Sequence, residues 1–475
     1  MDHHSSSTHA DRTLNVPLLA VMTIVILYGI ENAASMAQIG WGSITAYVTA
    51  ALFILIPIGV ISAELASGWP HDGGLYLWVR EAFGPKFGFF ALFQQWVAWV
   101  FTIPTVFTFV AVTATYAFDS SLQDNQIYAG LTVVGITVIA TGLNFFGVRK
   151  SGIVSVLSIV FLAVIPTVTI LTLAIRAVIQ GQVQGNFETS DLWLFGDSSA
   201  FKWIIAGVNS FLGLEMSAYF LKRLRDPQRQ YPLVLILAGI LTFTFLTLLT
   251  LAVFLLSPSG SVSLTAGIME TITALFDAQN ISYLVPVLAA LIALGGLLKS
   301  STIVIGPAVG LLASARHGHL PSRLARVNKH GAPVAILVMQ GVIILIATLA
   351  FVVLKNVQTT FFLLLILSVI PYMIAYLFMF AAAVRLRYTQ PDVPRSFRVP
   401  GGKIGIWIIS IIGVAACILV LVDGLSPRSL PSDGRGLTVV LIPIITIILC
   451  IAPFVIDRRN SRTDPIDPEF IDEEP

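Results

Sequence analysis

The sequence predicts an all-α polytopic membrane protein of about twelve membrane-spanning helices, and three observations carry that prediction. Of its 475 residues, 56% are hydrophobic and 11% charged, with a mean hydropathy of +0.89; soluble domains carry about 25% charged residues. Apolar runs of roughly 20 residues, long enough to cross a bilayer, recur along the whole chain. Basic residues concentrate on alternate connections between those runs. The same figures exclude other classes. A water-soluble enzyme of this length could not cover its surface with so few charges. The net charge of +2 is too small to point to nucleic acid. Cys417 and Cys450 both lie in apolar runs, with neither a disulfide framework nor metal-ligand spacing.

Taken in order, the polar start from Met1 to Asn15 lacks a signal peptide's basic region and cleavage site, so the first apolar run is expected to remain as an anchor. His3, His4 and His9 there read as a solvated tail. Spans are expected near 15–40, 43–67, 87–117, 126–147, 152–179, 201–223, 232–256, 283–313, 333–354, 359–387, 404–423 and 437–456. Between the second and third, Gly74-Leu-Tyr-Leu-Trp-Val-Arg-Glu-Ala-Phe83 reads as a short amphipathic helix. A second such helix is expected over Leu264–Phe276, within an outer connection. Residues 180–200, with Glu188, Asp191 and Asp197, read as an outer loop. The tail after Asp457 is short, polar and acidic at its end. With a cytoplasmic N-terminus, 21 of the 27 Lys and Arg fall on inner segments; the opposite orientation would leave them outside. The expected location is the inner (plasma) membrane, with both termini cytoplasmic and a lipid bilayer as the protein's environment.

Two spans carry polar residues at mid-depth. The first reads Tyr28-Gly29-Ile30-Glu31-Asn32-Ala33-Ala34 and the sixth Leu212-Gly213-Leu214-Glu215-Met216-Ser217-Ala218. Gly, Glu and Ala recur at a constant offset of 184 residues. A bare carboxylate in hydrocarbon is costly and is expected to face a cavity or a partner. An odd number of spans per unit inverts the second unit in the membrane, the construction of inverted-repeat transporters with interrupted helices at matching places. Gly29 and Gly213 are therefore expected to mark helix breaks; small residues at helix contacts are the plainer alternative. At such breaks a half-helix N-terminus suits a carboxylate and freed carbonyls suit an ammonium or cation, so a small zwitterion fits between them.

The chain resembles the amino acid–polyamine–organocation transporters, and most closely the bacterial glutamate/GABA antiporters, over nearly all of residues 14–460. Ile56-Pro57-Ile58-Gly59, Ala63-Glu64-Leu65-Ala66, Gly73-Gly74, Gly213-Leu214-Glu215 and Gly306-Pro307 carry the resemblance. The most specific stretches are Asn328-Lys329 with Gly331 and Pro333-Val334, and Arg395-Ser396-Phe397 with Pro400-Gly401-Gly402-Lys403. It implies a five-plus-five inverted repeat, the leucine-transporter-like fold, with two extra C-terminal helices: units at 15–179 and 201–387, then 404–456. It also implies secondary active exchange of amino acids by alternating access. A proton-coupled symporter or uniporter of the same superfamily is the alternative. Carried over, Gly29, Ile30, Glu31, Asn32 and Ala33 with Gly213, Leu214, Glu215 and Ser217 line the substrate site. Tyr372 and Tyr376, one turn apart, wall it, with Trp96 a further candidate. No cofactor or metal is implied, and the partner is a small-molecule amino acid.

The departures from that pattern matter. Lys299 stands on the eighth span where those antiporters carry an acid, and Arg223 replaces an acidic residue. The C-terminal stretch is too short for the plug that closes them. Lys299 reads in three ways: holding an acidic group of the substrate, standing in for a coupling cation, or pairing with Glu31 or Glu64. Hydroxyls at Ser300, Ser301 and Thr302 offer a sodium site instead. Glu64 is read as paired or snorkelled, and His317 and His319 as solvated loop residues. Zinc-protease, nucleophile-elbow, filter-ring and nucleotide-loop patterns are all missing, which sets aside an intramembrane enzyme, a channel and ATP drive.

Overall fold

The computed structural model describes residues 14–71, 73–146, 151–181, 189–193, 200–256, 263, 265–354, 356–426 and 435–460. Among them, nine helices are long and apolar enough to cross a membrane, and a bent pair makes a tenth. In chain order the elements are α1 (Val16–Leu27), α2 (Ile30–Ala37), α3 (Gly42–Gly68), α4 (Gly74–Phe83), α5 (Pro85–Thr115), α6 (Gln126–Asn144) and α7 (Val156–Ile179). There follow α8 (Ala200–Asn209), a 3₁₀ segment Leu214–Arg223, α9 (Pro227–Leu256), α10 (Gly267–Ala278) and α11 (Val285–Arg316). Last come α12 (Val334–Thr348), α13 (Ala350–Leu354), α14 (Val357–Thr389), α15 (Gly402–Gly424) and α16 (Arg435–Asn460).

The expected short helices form as α4 and α10. The spans expected at 201–223 and 333–354 are each present as two pieces, so they fall below the length of an unbroken crossing. The last helix runs on to Asn460, past the Asp457 where a tail was expected. The N-terminal histidines and most of the 180–200 loop lie outside the described residues.

Helices α5 and α14 form the middle of the bundle. Each is 83% buried over its most apolar window, against 11% for the last helix. They pack on each other, and α11 packs on α5. Around them, large apolar side chains such as Leu131, Ile240, Ile346 and Val422 are exposed, as a belt facing lipid tails requires. Two helices carry five-residue π turns, Ala51–Leu55 and Val160–Val164. Each ends two residues before a proline, Pro57 or Pro166. Proline lacks the N–H that would close the ladder, and the turn widens there. At the second widening Gly295 of α11 meets α7: a Cβ at 295 would lie 2.6 Å from the Leu162 backbone nitrogen.

Candidate functional site

The first span breaks after Leu27. Tyr28 and Gly29 are extended, and the axis bends by 47° before α2 resumes. Asn32 N–H bonds to Gly29 O instead of the Tyr28 carbonyl four residues back, so Tyr28 O leaves the ladder. The sixth span breaks at Gly213, which adopts φ 97°, a conformation open to glycine and costly for other residues. α8 ends at Asn209, and the chain resumes as the tighter 3₁₀ segment. Both expected interruptions are thus present. They are also tied end to end: Leu14 N–H donates to Arg223 O at 3.1 Å.

Lys299 of α11 answers the first break. Its Nζ donates to Tyr28 O at 2.9 Å and stands 3.5 Å from Glu31 Oε1. The ammonium sits at the negative end of α1 and the carboxylate in the first turn of α2, so each charge meets the favourable end of a half-helix. Of the three readings of Lys299, the geometry shows pairing with Glu31. Glu64 pairs elsewhere: Arg387 grips both its oxygens, Val399 N–H donates at 2.7 Å, and Arg395 Nε lies 3.7 Å away. The hydroxyls after Lys299 are engaged too. Ser300 donates to Leu297 O at 2.6 Å and Ser301 to Asn144 Oδ1 at 3.3 Å.

Between the breaks lies a cavity of about 30 Å³ walled by Gly29, Glu31, Asn32, Trp99, Asn209 and Lys299, with Tyr372 closing one side. That volume admits water but not an amino acid. Asn209 Nδ2 donates to Asn32 Oδ1 at 3.3 Å across it, joining the two broken spans. Glu31 Oε2 is buried there without a hydrogen-bond partner among the described residues.

Glu215 does not reach this cavity. It lies beyond Tyr372, 1% exposed, inside a cage of neutral donors. Oε1 accepts from Gln95 Nε2 at 2.5 Å and Tyr372 OH at 2.9 Å, and Oε2 accepts from Tyr376 OH at 2.7 Å. Tyr376 OH in turn accepts the Gly213 N–H at 3.1 Å, so the cage is anchored on the second break. Tyr219 OH donates to Gln95 Oε1, and Trp99 Nε1 donates to Tyr372 OH at 3.2 Å.

The remaining expected residues scatter. Ile30 and Ala33 are buried in α2 among core side chains. Leu214 faces an apolar crevice between α3 and α9. Ser217 Oγ bonds to Leu214 O and Tyr231 OH. Trp96 points away, its Nε1 donating to Gln340 Oε1 at 2.9 Å; Trp99 is the tryptophan at the cavity. The sequence reading missed Trp99, Gln95 and Asn209. A signal for the first two exists: Gln95, Trp99, Thr102 and Val106 share one helix face at four-, three- and four-residue steps.

Residues 14–451 match the family model described as amino acid permease. An uncharacterized transporter of Legionella pneumophila is 35% identical over 425 residues, covering 89% of this chain and 91% of its own. A glutamate/gamma-aminobutyrate antiporter of Lactococcus lactis is 28% identical over 432 residues, 87% of this chain and 84% of its own. A probable agmatine/putrescine antiporter of Lactococcus lactis is 22% identical over 397 residues, 80% and 81% of the two chains.

Proposed function

We propose a function from one premise, that this chain belongs to the amino acid permease family and is a multi-pass transporter of amino-acid-like molecules: it exchanges amino acids across the membrane by alternating access. The observation that carries the reading is the meeting of two interrupted spans at one polar cavity, with Glu31, Asn32, Asn209 and Lys299 around it. Similarity to two antiporters supports exchange over one-way uptake.

The substrate binds between the breaks. The cavity is closed in this arrangement, so its walls part to admit a ligand, and the unwound residues 28–29 and 210–213 are where the half-helices swing. The cage of Gln95, Glu215, Tyr219, Tyr372 and Tyr376 seals one side; the Asn32–Asn209 contact helps close the other. Residues 15–179 and 201–387 are the two five-helix units, and 404–456 are additional helices. On this reading both termini are cytoplasmic, a topology supported by the basic residues of the inner connections, and the cage lies toward the cytoplasm.

Purified protein in liposomes preloaded with amino acid should take up labelled amino acid faster than empty liposomes do, and with saturation. No trans-stimulation by any standard amino acid between pH 5 and 8 would defeat exchange. Proton-coupled uptake is the second reading. Glu215 favours it, being a carboxylate with only neutral donors around it among the described residues; uptake into empty liposomes driven by a pH gradient would establish it.

A further inference from the structure

Charge recognition in this cavity follows from how the first break is filled. An interrupted helix normally leaves a negative end and a positive end open to a ligand. Here the protein occupies both. Lys299 takes the Tyr28 carbonyl at 2.9 Å, and Glu31 sits in the first turn of α2. A ligand therefore meets side-chain charges rather than bare helix ends. Two features show what they offer. Glu31 is 6% exposed, and its Oε2 is buried at the cavity without a hydrogen-bond partner among the described residues. Lys299 is 2% exposed; an ammonium has three protons, Tyr28 O takes one of them and Glu31 Oε1 faces a second at 3.5 Å. The cavity wall thus carries one unmet acceptor of a negative group beside a positive group with a donor to spare.

We propose that the Glu31–Lys299 pair sets the substrate class: a zwitterion of zero net charge, its ammonium on Glu31 Oε2 and its carboxylate on Lys299. The inference rests on the cavity being the substrate site. The two fixed charges cancel, so a ligand with a surplus charge of either sign enters a low-dielectric space without a counter-charge. Asn32, Thr102, Asn209, Trp99 and Tyr372, the other polar or aromatic walls, carry no formal charge. Glu215 is separated from the cavity by Tyr372 and does not alter this balance by contact. The pair is a specificity filter as much as an attraction, since its neutrality works against charged competitors.

The test is binding to the full chain in detergent, read by ligand-induced thermal shift and by displacement of a labelled ligand. The probes are alanine and γ-aminobutyrate as zwitterions, glutamate with one surplus negative charge, and putrescine with two positive charges. The wild-type protein should prefer the zwitterions by at least about tenfold, and removing one charge should reorder the ligands by a similar factor. Lys299→Met should move preference toward putrescine, and Glu31→Gln toward glutamate. The double variant removes both charges together, avoids an unpaired buried ion and should lose most of the zwitterion preference, with weaker binding of alanine and γ-aminobutyrate. It keeps the test decisive where a single variant does not fold. Wild-type preference for glutamate or putrescine would overturn the proposal. So would single variants that weaken every ligand equally, or a double variant that keeps the full zwitterion preference. Binding that follows the charges without trans-stimulated flux leaves this inference standing and defeats exchange. Exchange whose selectivity ignores both substitutions does the reverse.

Discussion

Tyr376 is a bridge between a backbone break and a buried carboxylate. Its hydroxyl takes the Gly213 N–H and gives its own proton to Glu215 Oε2. Tyr372 has a different burden: its partner oxygen, Glu215 Oε1, also accepts from Gln95, while its hydroxyl also accepts from Trp99 Nε1. Tyr376→Phe should therefore destabilise the protein more than Tyr372→Phe, because it strands a backbone donor and a carboxylate oxygen together, whereas Tyr372→Phe strands the Trp99 indole alone. Each stranded buried group costs about 1–3 kcal/mol. Thermal denaturation of the two purified variants checks the order, and equal stabilities would mean that the cage does not hold the break. At this scale the charged residues were legible in the sequence, because a charge inside an apolar run stands out. Glu31, Lys299 and Glu215 were all visible. Their partners were not. The choice of Trp99 over Trp96 depends on which way α5 is turned, and both residues sit in a span rich in aromatics. The depth of Glu215 behind Tyr372 depends on the 3₁₀ winding of its segment, which hydrophobic spacing does not report. His319 shows the same limit: read as a solvated loop residue, it is 6% exposed.

The two broken spans need glycine for different reasons. Gly213 needs it for its backbone: φ is 97°, and a Cβ there would lie 3.0 Å from Trp99 Cζ2 and 3.1 Å from Ile26 Cγ2. Gly29 has φ −101°, ordinary for any residue. It needs glycine for space, since a Cβ would stand 2.6 Å from Asn32 Nδ2 and 3.1 Å from Glu31 Oε1. Gly213→Ala should lower stability, by about 1–2 kcal/mol from the left-handed backbone alone and more from the contacts. Gly29→Ala should fold nearly as well as wild type, because the Asn32 amide is the far end of a flexible side chain. It should instead weaken substrate binding by shifting Asn32 and Glu31. Melting temperature and substrate affinity measured on both variants separate the two; the opposite pattern would mean that the breaks are held by something other than these contacts. The breaks were legible because a glycine and a carboxylate two residues on recur together in two spans, which favours interruption over the close packing of small residues. Most spans were legible because bilayer thickness dictates their length. The division of 333–354 into α12 and α13 was not, since a lone Thr348 before Leu349 does not mark a break in so apolar a run.

The assembled bundle is fastened at one end by two buried polar clusters that join distant parts of the chain. In one, Glu64 of α3 holds Arg387 of α14 and the Val399 N–H, with Arg395 beside it and over the Trp69 ring. Glu64→Gln leaves two guanidinium groups short of a counter-charge, and losing one partner of a buried ion pair costs about 3–5 kcal/mol. The folded yield of that variant should fall steeply.

The other cluster decides how the last helix docks. Little of α16 is buried, so apolar packing alone holds it weakly. Its end is clasped instead. Asp457 Oδ1 lies 2.7 Å from His319 Nδ1, and Asn460 Nδ2 donates to Gly318 O at 2.6 Å and Leu320 O at 3.0 Å. The His319 ring stacks on Phe89 of α5 at 5.2 Å with a 5° interplanar angle, and meets Tyr76 of α4 edge-on at 6.1 Å. One imidazole thus joins α4, α5 and α16. Two substitutions separate packing from hydrogen bonding. His319→Phe keeps an aromatic ring between Phe89 and Tyr76 and strands Asp457. His319→Ala loses the ring as well and opens a gap beside two aromatic side chains. If the clasp works mainly through Asp457, both variants should expose the end of α16 equally, read as faster tryptic cleavage at Arg458 and Arg459. If the stack carries the docking, His319→Phe should cleave like wild type and only His319→Ala should cleave faster. The 2.7 Å contact and the burial of both partners favour the first outcome, since a stranded carboxylate at the helix end is drawn toward water. Asp457→Asn, which keeps an oxygen acceptor for a protonated Nδ1, should then cleave more slowly than either histidine variant. Cleavage of Asp457→Asn as fast as that of His319→Ala would show that the charge on Asp457, rather than the hydrogen bond, docks the helix.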